Sequence, residues 1–439
     1  MKFFLNKSIF FFALLLTFAS CESFIDEEIN VDPNNPVTVP IQAQMPSIEI
    51  NLADVYGGAF SRFNSMLTQQ VEGVARQWSS FNVYTGLTPN RFDAAWQNIY
   101  EGILLEIKLA RATATDAGFN HYLGVLDILE AFTLLSATDV WDDMPYSEAL
   151  QGVDVISPVY DTQASIYATA LDKLNKGLGL LDGSPGAVSP GADDVYYGGN
   201  IAAWILAANA VKARTLLKQD DYAGAMAAAQ ASFTSAADNM AYQYPDAAAA
   251  GQWYRFNRDR TADIEFHPQM QSMMEALDDT LRANVMNPTF ITDHPYMVAD
   301  FNQEMITYRE MQFIIAEVDV RNGGTQAGYD AYLNGIRASF DRLGLDQAAY
   351  DQYVANADVT PGVGNLTLER VMIEKYIAMY LQPEVYNDWR RTNIPALTPT
   401  AGEEIPVRWH YSSDEYLFNS NSPSETDVDI FKDRVGWNR

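Results

Sequence analysis

Apolar residues recur along this chain at helical spacing. Phe63, Met66, Leu67, Val71 and Val74 fall at i, i+3, i+4, i+8 and i+11, one face of a helix. Phe92, Trp96, Ile99, Ile103, Leu104 and Ile107 repeat the pattern and predict a second long helix. Comparable stripes predict helices over 120–138, 162–181, 201–218, 221–235, 304–322, 326–343 and 366–382. Strand-like alternation over six or more residues is almost absent; short pieces such as Ile405-Pro406-Val407-Arg408-Trp409 are the exceptions. The expected class is all-α with minor short strands.

Two stretches read as paired helices of tetratricopeptide type. Trp204 to Leu217 makes one helix, Asp220-Asp221 the turn, and Tyr222 to Phe233 the next. Asp221-Tyr222-Ala223-Gly224-Ala225 gives the D-Y-x-x-A start of such a second helix, where small alanines let two helices approach closely. Met311 to Arg321, Gly323-Gly324 and Ala327 to Phe340 form a second unit. Repeat-like pairs are therefore expected within about 60–235 and 304–343.

The amino-terminal stretch fixes an address. Lys2 and Lys7 make a basic start, Ile9 to Phe18 an apolar run, and Ala19-Ser20 the small residues before a cut. The run is about half the roughly 20 residues needed to span a bilayer, so it reads as a signal peptide. Cys21 is the only cysteine in 439 residues and stands directly after that cut. A single thiol cannot form an internal disulfide, and its position resembles a bacterial lipobox, with Phe18 in place of the usual Leu. Lipidation at Cys21 would anchor the body without spanning the membrane, because stable attachment takes more than one acyl chain. Glu22-Ser23-Phe24-Ile25-Asp26-Glu27-Glu28 follows and resembles the surface-export signal of Bacteroidetes lipoproteins. The chain thus divides into signal peptide (1–20), lipidated amino terminus and tether (21–45) and a helical body (46–439), which no Gly/Ser or Pro/Thr linker interrupts.

Charge narrows the partners. The net charge of −29 becomes −31 once Lys2 and Lys7 leave with the signal, and such a surface repels phosphate backbones. Nucleic acid is excluded. Apolar residues at 48% exclude disorder.

Asn30-Val31-Asp32-Pro33-Asn34-Asn35-Pro36 looks like the N-D-P-N-x-P opening of one family, the SusD/RagB-type nutrient-binding lipoproteins of the outer membrane, and further segments resemble that family in order. The stretch from Ser136 to Ala149, with Asp139, Trp141, Asp143, Pro145, Tyr146, Ser147 and Glu148, is similar to D-x-W-G-D-V-P-Y-S-E-A. Within it Asp142 replaces Gly and Met144 replaces Val. Tyr332 to Ser339 looks like Y-x-x-G-I-x-A-S, and Asn387-Asp388-Trp389-Arg390-Arg391-Thr392 and Ile405-Pro406-Val407-Arg408 resemble later signals. Gly436-Trp437-Asn438 departs from an expected double Trp. The resemblance implies four tetratricopeptide-like pairs with long ligand-binding loops. It also implies a cell-surface lipoprotein of the outer membrane and a TonB-dependent barrel (SusC-like) that it covers as a hinged lid. The implied cargo is a glycan or oligosaccharide, captured and handed over without bond cleavage.

Sugar recognition needs flat apolar faces and planar hydrogen-bonding groups. Between the first two helices lie Trp78, Phe81, Tyr84 and Arg91, near Gly86 and Pro89; further on come Trp253, Tyr254, Phe256, Asn257 and Phe266. Trp78, Phe81, Tyr84, Arg91, Trp253, Tyr254, Asn257 and Phe266 are the expected ligand-binding residues, with Trp78 and Trp253 as exposed platforms. Trp96, on a helical stripe, is expected in the core. Asp139, Asp142 and Asp143 offer oxygens for Ca²⁺ but lack a D-x-D-x-D-G loop, so no metal and no cofactor is expected. Arg390 and Arg391 are expected to pair with buried carboxylates.

No catalytic arrangement emerges. There is no H-E-x-x-H, and His121, His267, His294 and His410 are scattered. Gly183-Ser184-Pro185-Gly186 has no following G-K-S/T and reads as a turn. The alternatives are a repeat-type surface lipoprotein binding peptide or protein only, and a lipoprotein glycosidase, since 57 acids always permit a carboxylate pair.

Overall fold

The computed structural model describes residues 39–181, 188–287 and 294–438. Cys21 and its signal, the acidic tether, Asn30 to Pro36 and the turn at 183–186 lie outside the described residues.

Helices dominate, as the 3.6-residue period requires. Four pairs stack in chain order. Ile41–Val55 packs on the stretch that runs through Asn98–Leu104 into Leu105–Ala117, and Asn120–Trp141 on Gln163–Leu181. Ile201–Lys218 packs on Tyr222–Gln230, and Tyr308–Arg321 on Gln326–Arg342. Local chemistry starts these helices where the sequence places them. Asn200, Asp221, Thr307 and Thr325 each accept a backbone N–H of the first turn through their side chains, caps worth about 1 kcal/mol apiece. In the second pair Gly124 and Gly177 face each other, and a Cβ on Gly177 would stand 2.9 Å from the Gly124 carbonyl. Only glycine permits that crossing.

Some predicted elements shift. The helical body begins by Ile41, inside the stretch assigned to the tether. Phe63, Met66 and Leu67 share a helix, Ser61–Leu67, but Val71 does not continue it. Gln69 takes a left-handed φ of 59°, the chain turns, and Val71–Gly73 pairs antiparallel with Ile264–Phe266. The helix expected over 304–322 is a strand, Asn302–Ile306, followed by Tyr308–Arg321; the strand pairs with Met240–Gln243. Trp96 is buried.

An ionic cluster joins the repeats inside the core. Arg214 grips Glu310 with two nitrogens at 2.6 and 2.7 Å, and Lys218 bridges Asp139 at 2.5 Å and Glu384 at 3.1 Å. Asp139 also accepts from Tyr167, Asn387 and the indole N–H of Trp437, the last two at 2.9 Å. Asp142 accepts from the Gly436 N–H and Asp143 from that of Gln163, so the acids considered for Ca²⁺ are occupied by protein donors. Arg391 pairs with Glu317 and Asp388, as expected. Arg390 does not: its guanidinium donates to the carbonyls of Asp139, Val407 and the Asn387 side chain.

Candidate ligand-binding face

Between Ile41–Val55 and Ser61–Leu67 the chain passes without a break through a π-helical turn, Tyr56–Phe60. Such turns are rare and concentrate at functional sites. Two glycines sit in it, although each costs a helix about 1 kcal/mol relative to Ala. Their lack of Cβ is used: one added at Gly57 would meet the Gln303 side chain at 2.1 Å, and one at Gly58 would crowd Gln252 and Arg62 at 3.3 and 3.6 Å. Asp54 precedes the turn and Arg62 follows it. Both face the helix Gln252–Asp259, Asp54 through Arg255 at 3.7 Å and Arg62 through Phe256.

Arg62 is the anomaly. Its guanidinium lies 5.1 Å from the centre of the half-buried Phe256 ring, and its Nε is buried without an acceptor. No carboxylate forms an ion pair with it among the described residues. Burial pushes its pKa down, the nearby Arg255 charge pushes it further, and Asp54 offsets only part, leaving it at about 10. Asp54 meanwhile accepts from the Tyr244 hydroxyl at 2.5 Å. The result is a flat ring, a planar donor fork short of partners and a carboxylate on one face.

The rings expected as platforms lie beneath this face. Trp253 is 2% exposed and donates its indole N–H to Ser61 Oγ at 2.8 Å. Trp78 is 6% exposed, packed edge-on to Phe256 at 5.1 Å and against Phe63 and Phe81. Phe81 is buried, with the exposed Arg91 guanidinium 5.5 Å above it. Phe266 is buried against Tyr380, and its backbone pairs with Val71. Exposure of Trp78 and Trp253 is therefore corrected: Gly and Pro do break the chain here, but both tryptophans fall on short helices, Arg76–Asn82 and Gln252–Asp259, and turn inward. Tyr254 and Asn257, on the second helix, stay half-buried beside Phe256.

Tyr84 stands apart. Its ring is buried against Phe431, and its hydroxyl meets Thr400 Oγ1 at 3.2 Å. It floors a separate cleft of about 490 Å³ with Val83 and Phe431, edged by Glu403 and Glu404. The structure thus joins Trp78, Phe81, Trp253, Tyr254 and Asn257 around Phe256 and leaves Tyr84 and Phe266 outside that group. Sequence reasoning missed Asp54 and Arg62; the Gly57-Gly58 pair within a helical stripe was the signal available.

The helical pairs thus present a half-buried ring, Phe256, beside a cation short of partners. The chain belongs to the SusD-like family, described as starch-binding and associating with the outer membrane, whose model matches residues 33–297 and 288–412. Carbohydrate binding is the activity at the level of that family. A search of curated proteins finds no match. Solved structures share the fold. A Bacteroidetes SusD-like protein aligns with a TM-score of 0.77 at 18% identity, over 91% of this chain and 100% of its own. A SusD/RagB family protein from Bacteroides thetaiotaomicron gives 0.75 and 18%, over 91% and 99%. A chitin-binding SusD homologue from Flavobacterium johnsoniae gives 0.72 and 18%, over 91% and 98%. No described helix is long and apolar enough to cross a membrane.

Proposed function

We propose that this protein captures an oligosaccharide at the Arg62–Asp54–Phe256 face and passes it, without bond cleavage, to a TonB-dependent outer-membrane barrel. The observation that carries the reading is Arg62. A half-buried guanidinium without a carboxylate is costly unless a ligand completes it. Two adjacent sugar hydroxyls fit its planar fork, Asp54 accepts from a third, and the Phe256 ring takes the C–H face of the pyranose. Tyr254, Asn257 and Arg91 extend the contact, while Trp78, Phe81 and Trp253 hold the floor rigid. Tyr84 and its cleft provide a second contact for a longer chain. Acylation at Cys21 anchors the body at the cell surface.

Chitin-binding neighbours and the starch-binding family description name the first ligands to try. Calorimetry with chitin and starch oligosaccharides is expected to show binding that Arg62→Met weakens at least tenfold, about 1.4 kcal/mol. Equal affinity in the variant removes Arg62 from the site. Binding of acidic peptides, and of no glycan, replaces this reading with peptide capture.

A further inference from the structure

The chain carries two acids for every base, 57 against 28. Around Phe256 that ratio inverts. The helix Gln252–Asp259 and the residue after it hold Arg255, Arg258 and Arg260 against one carboxylate, Asp259, and all four are exposed. Arg62 adds a guanidinium beside the ring, and Arg91 stands over Phe81 at the edge. Asp259 is taken by Arg258 at 2.7 Å, and the neighbouring Arg76 by Asp263 at 2.6 Å. Arg62 and Arg255 are left with one carboxylate between them. That carboxylate, Asp54, stands 3.7 Å from Arg255 and already accepts the Tyr244 hydroxyl at 2.5 Å. Glu72 and Glu265 stand opposite each other on the nearby ribbon, but the groups whose charge acts on Arg62 are Arg255, Asp54 and Tyr244.

Two cations sharing one anion repel, and a neutral sugar leaves that repulsion in place. A carboxylate removes it. Its two oxygens match a guanidinium fork, and the charge-assisted bonds are about twice as strong as neutral ones. On a uronic acid the carboxylate takes the place at Arg62 that two hydroxyls fill on a neutral sugar, and the C–H face stays free for Phe256. We infer that the cargo of this face is an acidic oligosaccharide whose uronate carboxylate lies between Arg62 and Arg255. The inference rests on the capture reading above and names the class of sugar for that same site. The rest of the chain limits it. Exposed charges are screened beyond about 8 Å at physiological salt, so a carboxylate placed here meets the arginines first. A densely charged polymer would run out over the acidic body and be repelled. A lone uronate among neutral sugars satisfies both conditions.

The test is calorimetry on the full-length lipoprotein in mild detergent. Oligosaccharides carrying a single glucuronate, galacturonate or mannuronate are compared with the same molecules after reduction of the carboxylate to a hydroxymethyl group, beside starch and chitin oligosaccharides. At least one acidic member is expected to bind about tenfold more tightly than its reduced counterpart and than starch or chitin, with affinity falling as salt rises. Arg255→Gln, at a side chain 48% exposed, is expected to melt as the wild type does and to cut the ratio of acidic to reduced affinity about fivefold. Arg255→Lys keeps the charge and is expected to keep most of the ratio. A reduced, starch or chitin oligosaccharide that binds as tightly as every acidic one overturns the uronate and leaves capture standing. So does an acidic preference that Arg255→Gln leaves unchanged, since the carboxylate then lies elsewhere. If no oligosaccharide binds, acidic or neutral, capture and uronate fall together.

Discussion

Arg214 and Arg62 each lay a guanidinium over a phenylalanine ring, 5.6 Å from Phe132 and 5.1 Å from Phe256. Around Arg214 the protein supplies the partners: two oxygens of Glu310, the Tyr56 hydroxyl and the Met305 carbonyl. Around Arg62 it supplies a ring and leaves Nε with no acceptor. Burial pushes both cations toward neutrality. Glu310, Tyr56 and Glu384 together outweigh it for Arg214 and hold that group well above its usual value, whereas Arg255 adds to it for Arg62. A charge that completes the fold is matched by the fold. One left short of partners is, on the proposed reading, completed by the ligand.

The comparison can be broken first at Arg214. Arg214→Met leaves Glu310 buried without its cation, and the expected loss is about 3–5 kcal/mol in urea unfolding. A variant as stable as wild type would deny the cluster its structural role. Trp253→Ala is expected to cost about 3–5 kcal/mol as well, because it opens a cavity and removes the indole N–H that the Ser61 oxygen accepts. An unchanged melting temperature would return Trp253 to the surface.

Acid sharpens the comparison with a smaller effect. Burial pushes the His267 pKa down to about 4, and its neutral Nδ1 accepts the Gln269 N–H at 2.9 Å, capping Pro268–Glu275. The unfolded chain takes up that proton first, near pH 6.5. This group's contribution to stability is therefore full above about pH 6.5 and falls as pH drops toward about 4. His267→Asn keeps an acceptor at the cap and is expected to flatten the change in melting temperature across that range. Smallest of all is the expected stability change in Arg62→Met, since no ion pair is lost and only the contact with the Phe256 ring is given up. A loss as large as that of Arg214→Met would erase the distinction.

Much of the helical body was legible because local signals agreed. Thr307 and Thr325 cap helices whose apolar stripes begin just after them, and Asp221 caps the second helix of its pair through Gly224. The stripe from Phe63 to Val74 misled because Val71 fits a helix by period, yet its backbone partner is Phe266, far along the chain. Trp78 and Trp253 misled for a related reason. Flanking Gly and Pro report where the chain bends, but which side of a ring meets solvent depends on Phe63, Ser61 and Phe256 arriving from elsewhere. Arg62 was hidden among apolar neighbours, and nothing local says that a cation lacks a partner.

Asp139 illustrates a timetable written into the fold. Lys218 follows it by 79 residues, Asn387 by 248 and Trp437 by 298. At a synthesis rate of about 5–20 residues per second, the carboxylate waits roughly 15–60 s for its last donor. Until then water must solvate it, and the helices that enclose it cannot close. If the chain is exported before it folds, as the proposed acylation at Cys21 requires, such a delay is a gain: the core stays open until the distant segment carrying Trp437 has been made.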